Sequence, residues 1–330
     1  MLIDLDKNSY IEGKVYDTCI IGAGVAGITI ANELINSTNN ICIVESGSFS
    51  FESQTQELYK GDITVDSAPH ANLDTYRVRY FGGTSNAWGG AVLPYSQIDF
   101  KKRSYIPKSG WPIERRDLKP FYDKAMTYYK VGDNIDDYKV NYGEVIEGLE
   151  RSKKLETGFM KRAKRSTIRF SEVYKDKLIR SIDVYINSNV TNLNPDLSED
   201  RIEIKTLNGK RHYIKSKKIV ICTGGIESAR LLLLSSKNYG NNVGRYYSPH
   251  WNSHHGLLIV NKNKKVLNKY TNEKGGDSIK RYLTINEGVM HKRHLLNAKI
   301  TLEGLNTKDD LIDSVAKYFD ETIFSSANKR

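Results

Sequence analysis

Three glycines and one carboxylate carry the first chemical signal in this chain. Gly22, Gly24 and Gly27 follow the apolar run Cys19-Ile20-Ile21, and Glu45 closes a second run, Ile41-Cys42-Ile43-Val44. At GxGxxG spacing, with a carboxylate roughly 20 residues on, each position has a physical task. The first glycine permits a tight turn off a strand, the second lets backbone approach a pyrophosphate, and the third lets a helix pack closely on the sheet. The free N–H groups and positive end of that helix suit phosphate oxygens. Glu45 is placed to accept hydrogen bonds from a ribose diol, and its charge would repel a 2′-phosphate. A dinucleotide other than NADP is therefore expected.

A second glycine-rich segment, Phe81-Gly82-Gly83-Thr84-Ser85-Asn86-Ala87-Trp88-Gly89-Gly90, reads as an exposed loop with unusual backbone freedom. Such a loop can aim N–H donors at phosphate or flavin atoms. Seven histidines are candidates for proton transfer. His250, His254 and His255 are the most conspicuous, since they enter the later part of the chain together. The His250 and His254 spacing would suit a metal pair on a helix. Pro249 and the run Leu257-Leu258-Ile259-Val260 favour extended chain instead, so a structural or substrate-lining role is expected and no metal site. His291 and His294 are weaker candidates.

These groups need elements to hold them. Val25–Leu34 reads as the helix after the first glycine turn, and Tyr16 to Ile21 and Ile41 to Val44 as its flanking strands. Asp117 is expected to cap a helix with Pro120 in its first turn. From about Gly132 to Arg169 the chain is polar and lysine-rich with mixed helical character. Strand signals return at Asp183 to Asn187 and Ser188 to Thr191. Arg201 to Lys205 and Arg211 to Ile214 flank the turn Asn208-Gly209. A separate buried strand, Lys218 to Cys222, leads through Thr223-Gly224-Gly225 into the helix Ile226 to Leu234. Arg281 to Ile285 and Ala298 to Leu302 suggest an antiparallel sheet, and Asp309 to Tyr318 is helix-like.

At 330 residues, 39% hydrophobic and 27% charged, the chain reads as an ordinary globular protein of two connected domains. Tyr16 opens the part expected to fold. Met1 to Tyr10 is polar and acidic, so no signal peptide is expected, and no apolar run is long enough to span a bilayer. Cys19, Cys42 and Cys222 fall on expected buried strands and read as reduced core thiols of a cytoplasmic protein. The net charge of +11 invites a nucleic-acid reading. The densest basic run, Lys161-Arg162-Ala163-Lys164-Arg165, comes with no nucleic-acid module and reads as a solvated helical face; no nucleic-acid partner is expected.

Several blocks together resemble one family, the flavin-dependent glucose-methanol-choline (GMC) oxidoreductases, especially the pyranose-oxidase-like and bacterial sugar-alcohol dehydrogenase branches. The blocks are Tyr16 to Gly27, Phe81 to Gly90, Gly110 to Tyr122, Val220 to Ser235 and Asn242 to His250. The resemblance implies an α/β fold: a Rossmann-like FAD-binding domain, with parallel sheet and β-meander, and the beginning of an antiparallel substrate domain. It implies a first FAD segment over 1–130, an excursion over 131–170, a second FAD segment over 171–250 and an incomplete substrate domain over 251–330.

It also implies FAD rather than NAD. Gly22, Gly24 and Gly27 would carry the pyrophosphate, with Glu45 on the adenosine ribose. Gly83, Thr84, Ser85, Asn86, Trp88 and Gly89 would run along the pyrophosphate, ribityl chain and isoalloxazine. The Val190 backbone would recognise adenine, and Thr223, Gly224, Gly225 and Ser228 would close over the adenosine end. Some relatives link the flavin through a histidine just before the loop tryptophan. Ala87 stands there, so noncovalent FAD is expected.

The implied activity is oxidation of a CH–OH group of a sugar or polyol by hydride transfer to flavin N5, with an unspecified electron acceptor. Relatives continue beyond this length into a segment that supplies the catalytic histidine, so no catalytic residue is assigned. The alternative is a noncatalytic, truncated FAD-binding fragment served by a separately encoded C-terminal half. An NAD-dependent dehydrogenase, resting on the βαβ fingerprint alone, is a more distant alternative.

Overall fold

The computed structural model describes residues 1–7, 13–37, 40–64, 71–132, 153–194, 201–235, 239–249 and 279–302. In chain order the elements are β1 (Leu2–Asp4), β2 (Val15–Ile21), α1 (Val25–Leu34), β3 (Ile41–Val44), α2 (Ser53–Glu57), β4 (Ala91–Val92), α3 (Gln97–Phe100), α4 (Arg115–Tyr129), β5 (Leu155–Arg162), α5 (Arg165–Ile168), α6 (Phe170–Ser181), β6 (Asp183–Ile186), β7 (Asn189–Leu193), β8 (Arg201–Lys205), β9 (Arg211–Ile221), α7 (Gly225–Leu234), β10 (Ile279–Ile285), α8 (Glu287–Arg293) and β11 (Lys299–Ile300). They fall into two compact units, 1–89 with 165–249 and 90–164 with 250–330. The sequence reading drew its boundaries at 130 and 170 instead.

The first unit is built on a seven-stranded sheet of order β1-β6-β3-β2-β9-β8-β7. β1, β6, β3, β2 and β9 are mutually parallel where they pair, and β7, β8 and β9 form an antiparallel meander. β3 is apolar and buried at every residue, and Cys19 to Ile21 at the end of β2 are buried likewise, as strands covered on both faces are. Cys19, Ile21, Cys42, Val44 and Tyr185 join the meander residues Leu193, Ile202, Ile204 and Ile214 in one buried cluster. α1 and α6 pack beside each other and bring Ile28, Ala31, Phe170 and Leu178 into the buried set.

The fold begins earlier than Tyr16. β1 pairs with β6, and Ile3 and Leu5 are buried, because the alternating Leu2 to Leu5 segment supplies an edge strand that a reading based on acidity overlooks. The two strands expected at 211–214 and 218–222 are one. β9 pairs antiparallel with β8 through Lys215 and parallel with β2 from Lys215 to Ile221. The break in apolar pattern at Ser216-Lys217-Lys218 marks a change of partner, not a turn. Cys222 lies just past that strand and is only partly buried, whereas Cys19 and Cys42 sit fully buried and opposite each other on β2 and β3.

The second unit is a four-stranded sheet of order β11-β10-β5-β4, antiparallel throughout. The basic run expected as a solvated helical face is split: Lys161 and Arg162 end β5, while Lys164 and Arg165 are exposed and Arg165 opens α5. Lys161 on β5 is fully buried and its Nζ donates to the Val131 carbonyl at 2.8 Å. α4 is capped by Glu114, with Asp117 as the third helical residue of a reciprocal capping box; Pro120 therefore falls in the second turn. Among the described residues no helix is long and apolar enough to cross a membrane. His250, His254, His255, Leu257 to Val260 and the Asp309 to Tyr318 segment lie outside the described residues.

Candidate functional site

The carboxyl ends of β2, β3 and β9 lie together at one edge of the parallel sheet. β2 turns at Gly22 into α1, whose N-cap is Gly24 and carries no side-chain cap. Gly22 has φ +97°, and a Cβ there would stand 2.8 Å from the Cys222 carbonyl oxygen. A Cβ on Gly27 would fall 1.9 Å from the Gly22 oxygen, so the helix can lie this close to the turn only without a side chain. Gly24 differs: a Cβ there would meet nothing within 4 Å. The helix end thus offers unpaired N–H groups toward open space.

The second glycine loop lies directly on the first. The Gly82 N–H donates to the Ala23 carbonyl at 2.8 Å, and a Cβ on Gly83 would stand 3.0 Å from Gly24 Cα. Gly83 to Asn86 form a 3₁₀ turn. Part of this loop is buried, contrary to the expected exposed loop. Ser85 is buried; its hydroxyl donates to the Gly82 carbonyl at 2.6 Å and faces the Phe170 N–H at 3.3 Å. Asn86 donates to the Phe81 carbonyl at 2.9 Å and accepts from Ser171 at 2.6 Å. Trp88 Nε1 donates to the Ile168 carbonyl at 3.3 Å. The side chains of Ser85, Asn86 and Trp88 therefore brace the turn, while Thr84 and Gly89 are exposed.

Glu45, at the end of β3, is buried. Its Oε2 accepts from the Ala23 N–H at 2.7 Å and its Oε1 from the Gly47 N–H at 3.1 Å. Burial pushes its carboxyl above the ordinary range, against the pull of these N–H groups and of the Arg79 charge. Glu45 thus ties the first glycine turn to its own strand end. The Ser46 N–H adds a third hydrogen bond, so most of the carboxylate's about four lone-pair sites are taken by backbone. Val190 sits on edge strand β7, next after Asn189, whose side chain bonds Ser46, and two residues after Ser188, whose N–H donates to the Glu45 carbonyl at 2.9 Å.

The third turn follows β9. Gly224 has φ +80° and is the N-cap of α7, again with no side-chain cap; Cβ atoms on Gly224 or Gly225 would meet nothing within 4 Å. The Thr223 and Ser228 hydroxyls bond each other at 2.9 Å. The structure thus groups Gly22, Gly24, Gly27, Gly83 and Glu45, joins the Thr223 to Ser228 turn to them through the Gly22–Cys222 contact, and brings Val190 to the same strand end.

A charged cluster beside these turns escaped the sequence reading. Glu227, in the first turn of α7, pairs with Arg77 Nη1 at 3.1 Å and Arg79 Nη1 at 3.4 Å. Arg79 Nε also donates to Ser46 Oγ at 2.7 Å, and both guanidiniums lie over the Tyr59 ring, at 3.9 and 4.8 Å. The available signal was the Arg-x-Arg pair just before the Gly82-Gly83 turn. Among the described residues no group of three or more His, Cys, Asp or Glu could hold a metal. His291 faces Glu287 at 3.7 Å and His294 stacks on Tyr105.

The fold and site define a class: an α/β chain with a dinucleotide-type βαβ turn at the carboxyl edge of a parallel sheet, joined to an antiparallel-sheet unit. No protein-family model matches it. A curated relative, 6'''-hydroxyparomomycin C oxidase of Streptomyces lividus, is 25% identical over 127 residues, which is 33% of this chain and 22% of the relative. Among solved structures, a fungal aryl-alcohol oxidase aligns at 16% identity and TM-score 0.43, covering 67% of this chain and 47% of its own. Formate oxidase of Aspergillus oryzae RIB40, in a study of FAD modification, aligns at 17% and 0.43, covering 68% and 48%. Pyridoxine 4-oxidase from Mesorbium loti aligns at 16% and 0.42, covering 66% and 51%. The chain thus spans about half the length of these structures and a smaller share of the curated relative. At such identities and TM-scores the structural likeness settles no activity.

Proposed function

We propose that this chain forms the FAD-binding part of a GMC-type oxidoreductase that oxidises a CH–OH group of a sugar or polyol. The observation that carries this reading is the assembly of three glycine turns at one sheet edge, with two uncapped helix N-termini and open space at Gly24, Gly224 and Gly225. That arrangement suits a pyrophosphate, whose charge the helix ends favour and whose bulk the missing side chains admit. Glu45 and the Val190 backbone would hold the adenosine. Arg77 and Arg79 add positive charge beside the turns, with Glu227 fixing their direction. A bound FAD would supply the hydride acceptor, while the chain binds, orients and shields it. The curated relative's name, an oxidase of a hydroxylated compound, fits this chemistry. With Ala87 beside Trp88, the flavin is held noncovalently.

The test is the visible absorption spectrum of the purified chain supplied with FAD, before and after anaerobic addition of sugars and alcohols. Flavin bands that bleach would establish oxidation by this chain alone. Bands that persist would make it a cofactor-binding part needing further polypeptide. Failure to take up FAD would overturn the proposal, and flavin retained on the denatured chain would overturn its noncovalent part.

A further inference from the structure

Within the second unit, two segments far apart in sequence meet to form one surface. The chain from Phe100 to Trp111 folds back on itself: the Trp111 N–H donates to the Phe100 carbonyl at 3.1 Å. Between them, the Ser109 hydroxyl accepts from the Arg103 N–H at 2.8 Å and donates to the Arg103 carbonyl at 2.9 Å. Gly110, at φ +94°, runs so near Lys102 that a Cβ would stand 3.1 Å from the lysine Cα. Tyr105, on this closed loop, reaches the end of α8. Its ring stacks on His294 with centroids 4.8 Å apart and meets His291 edge-on at 6.1 Å, and its hydroxyl donates to the Leu295 carbonyl at 3.4 Å. Lys101 pairs with Glu287, in the first turn of α8, at 2.6 Å.

The surface so formed is basic and carries leucines. Lys102 and Lys108 on the loop, and Lys292 and Arg293 on α8, are exposed. The neighbouring carboxylates are engaged: Glu287 by Lys101 and His291, and Asp99 by the Asn297 side chain and the Ser96 N–H. α8 stops at His294, which takes the left-handed conformation at φ +56°, and the Leu295 N–H donates back to the Met290 carbonyl at 2.9 Å. Just past that stop, Leu295 and Leu296 stand 38% and 64% exposed. An anionic partner would match the charge, and the leucines decide which kind. Nucleic acid is held by cations together with polar or aromatic side chains on the bases, and leucine is neither. Protein interfaces are depleted in lysine, which outnumbers arginine here. A bilayer takes leucine among its acyl chains, while lysine's long apolar stem keeps the ammonium at the level of anionic headgroups.

We propose that this surface docks on an anionic lipid bilayer, with Leu295 and Leu296 entering the acyl boundary and Lys102, Lys108, Lys292 and Arg293 meeting the headgroups. It lies within the second unit, so vesicle binding and flavin binding are independent. The test is flotation of the full chain with vesicles of phosphatidylcholine, with and without phosphatidylglycerol. The chain is expected to bind the anionic vesicles alone, and to release from them as salt approaches about 1 M, where the screening length falls to about 3 Å. Lys102→Gln combined with Lys292→Gln weakens binding by about tenfold or more, at about fivefold for each cation. Leu295→Ser combined with Leu296→Ser weakens it as well. Both variants keep the wild-type melting temperature, because the substituted side chains are exposed. No binding to anionic vesicles would overturn the proposal. An equal loss on neutralising Lys60 and Lys217, exposed in the first unit, would also overturn it, since net charge would then account for the binding. So would leucine variants that bind as the wild type does, the result expected if the surface serves any polyanion, duplex DNA included.

Discussion

Gly24 and Gly27 belong to one motif but meet different surroundings. At Gly27 a methyl group would overlap the Gly22 carbonyl; at Gly24 it would enter open space, and the backbone there has φ −78°, which alanine adopts without strain. Gly24→Ala is therefore expected to fold with an unchanged melting temperature while losing FAD affinity by about tenfold or more, since the added methyl occupies the pyrophosphate approach. Flavin titration and thermal melting of that one variant separate a cofactor role from a packing role. Asp183 sets a different residue-scale expectation. Burial raises its carboxyl pKa, but bonds from Lys14 at 2.8 Å and Tyr16 at 2.6 Å outweigh burial, and the net shift is downward. The folded state then binds the acid proton more weakly than the unfolded chain. The stabilisation is present above the unfolded pKa, about 3.9, and is lost as pH falls through the lower folded value. In urea unfolding from neutral to acid pH, Asp183→Asn is expected to show lower stability at pH 7 and a shallower decline on acidification. The glycines were legible because their spacing encodes backbone geometry. The Ser85 and Asn86 contacts were not, since polar side chains on a loop give no sign of whether they face ligand or protein.

At the scale of elements, the βαβ unit was readable to its ends: α1 runs Val25–Leu34 as the apolar pattern indicates. The capping of α4 was not, because Glu114 is a poor N-cap by type and succeeds through its reciprocal bonds with Asp117. Lys161 misled for a related reason. Charge suggests solvent, but Lys161 ends a run on β5, Thr157 to Lys161, that is buried at every residue, and the Val131 carbonyl receives its Nζ. α7 depends on a contact the sequence does not advertise. Glu227 joins it to Arg77 and Arg79, all with side chains less than one-sixth exposed. Removing the carboxylate leaves two poorly solvated guanidiniums without it, and Glu227→Ala is expected to cost on the order of 3 kcal/mol in chemical denaturation. FAD affinity should fall with it, while Glu227→Asp retains part of both.

For the whole molecule, the two units are each discontinuous in sequence: the second unit's residues 90–164 are inserted between the halves of the first. The parallel sheet carries the consequence. β2, in its centre, is flanked by β3 and by β9, and β3 is flanked by β6, so strands from near residue 15 wait for partners made near residues 183–221. On the ribosome, at about 5–20 residues per second, the nucleotide turn is synthesised early but stays without one of its two sheet neighbours for roughly ten seconds or more. An apolar strand pair with open edges invites wrong pairing during that interval. Nascent chains arrested before residue 211 are therefore expected to be protease-sensitive throughout the first unit, with protection arising once β9 has left the exit tunnel. A chain whose first 90 residues became protected earlier would show that the turn is assembled without β9. The order in which the strands are made, set against the order in which they lie, thus gives this fold a vulnerable period during its own synthesis.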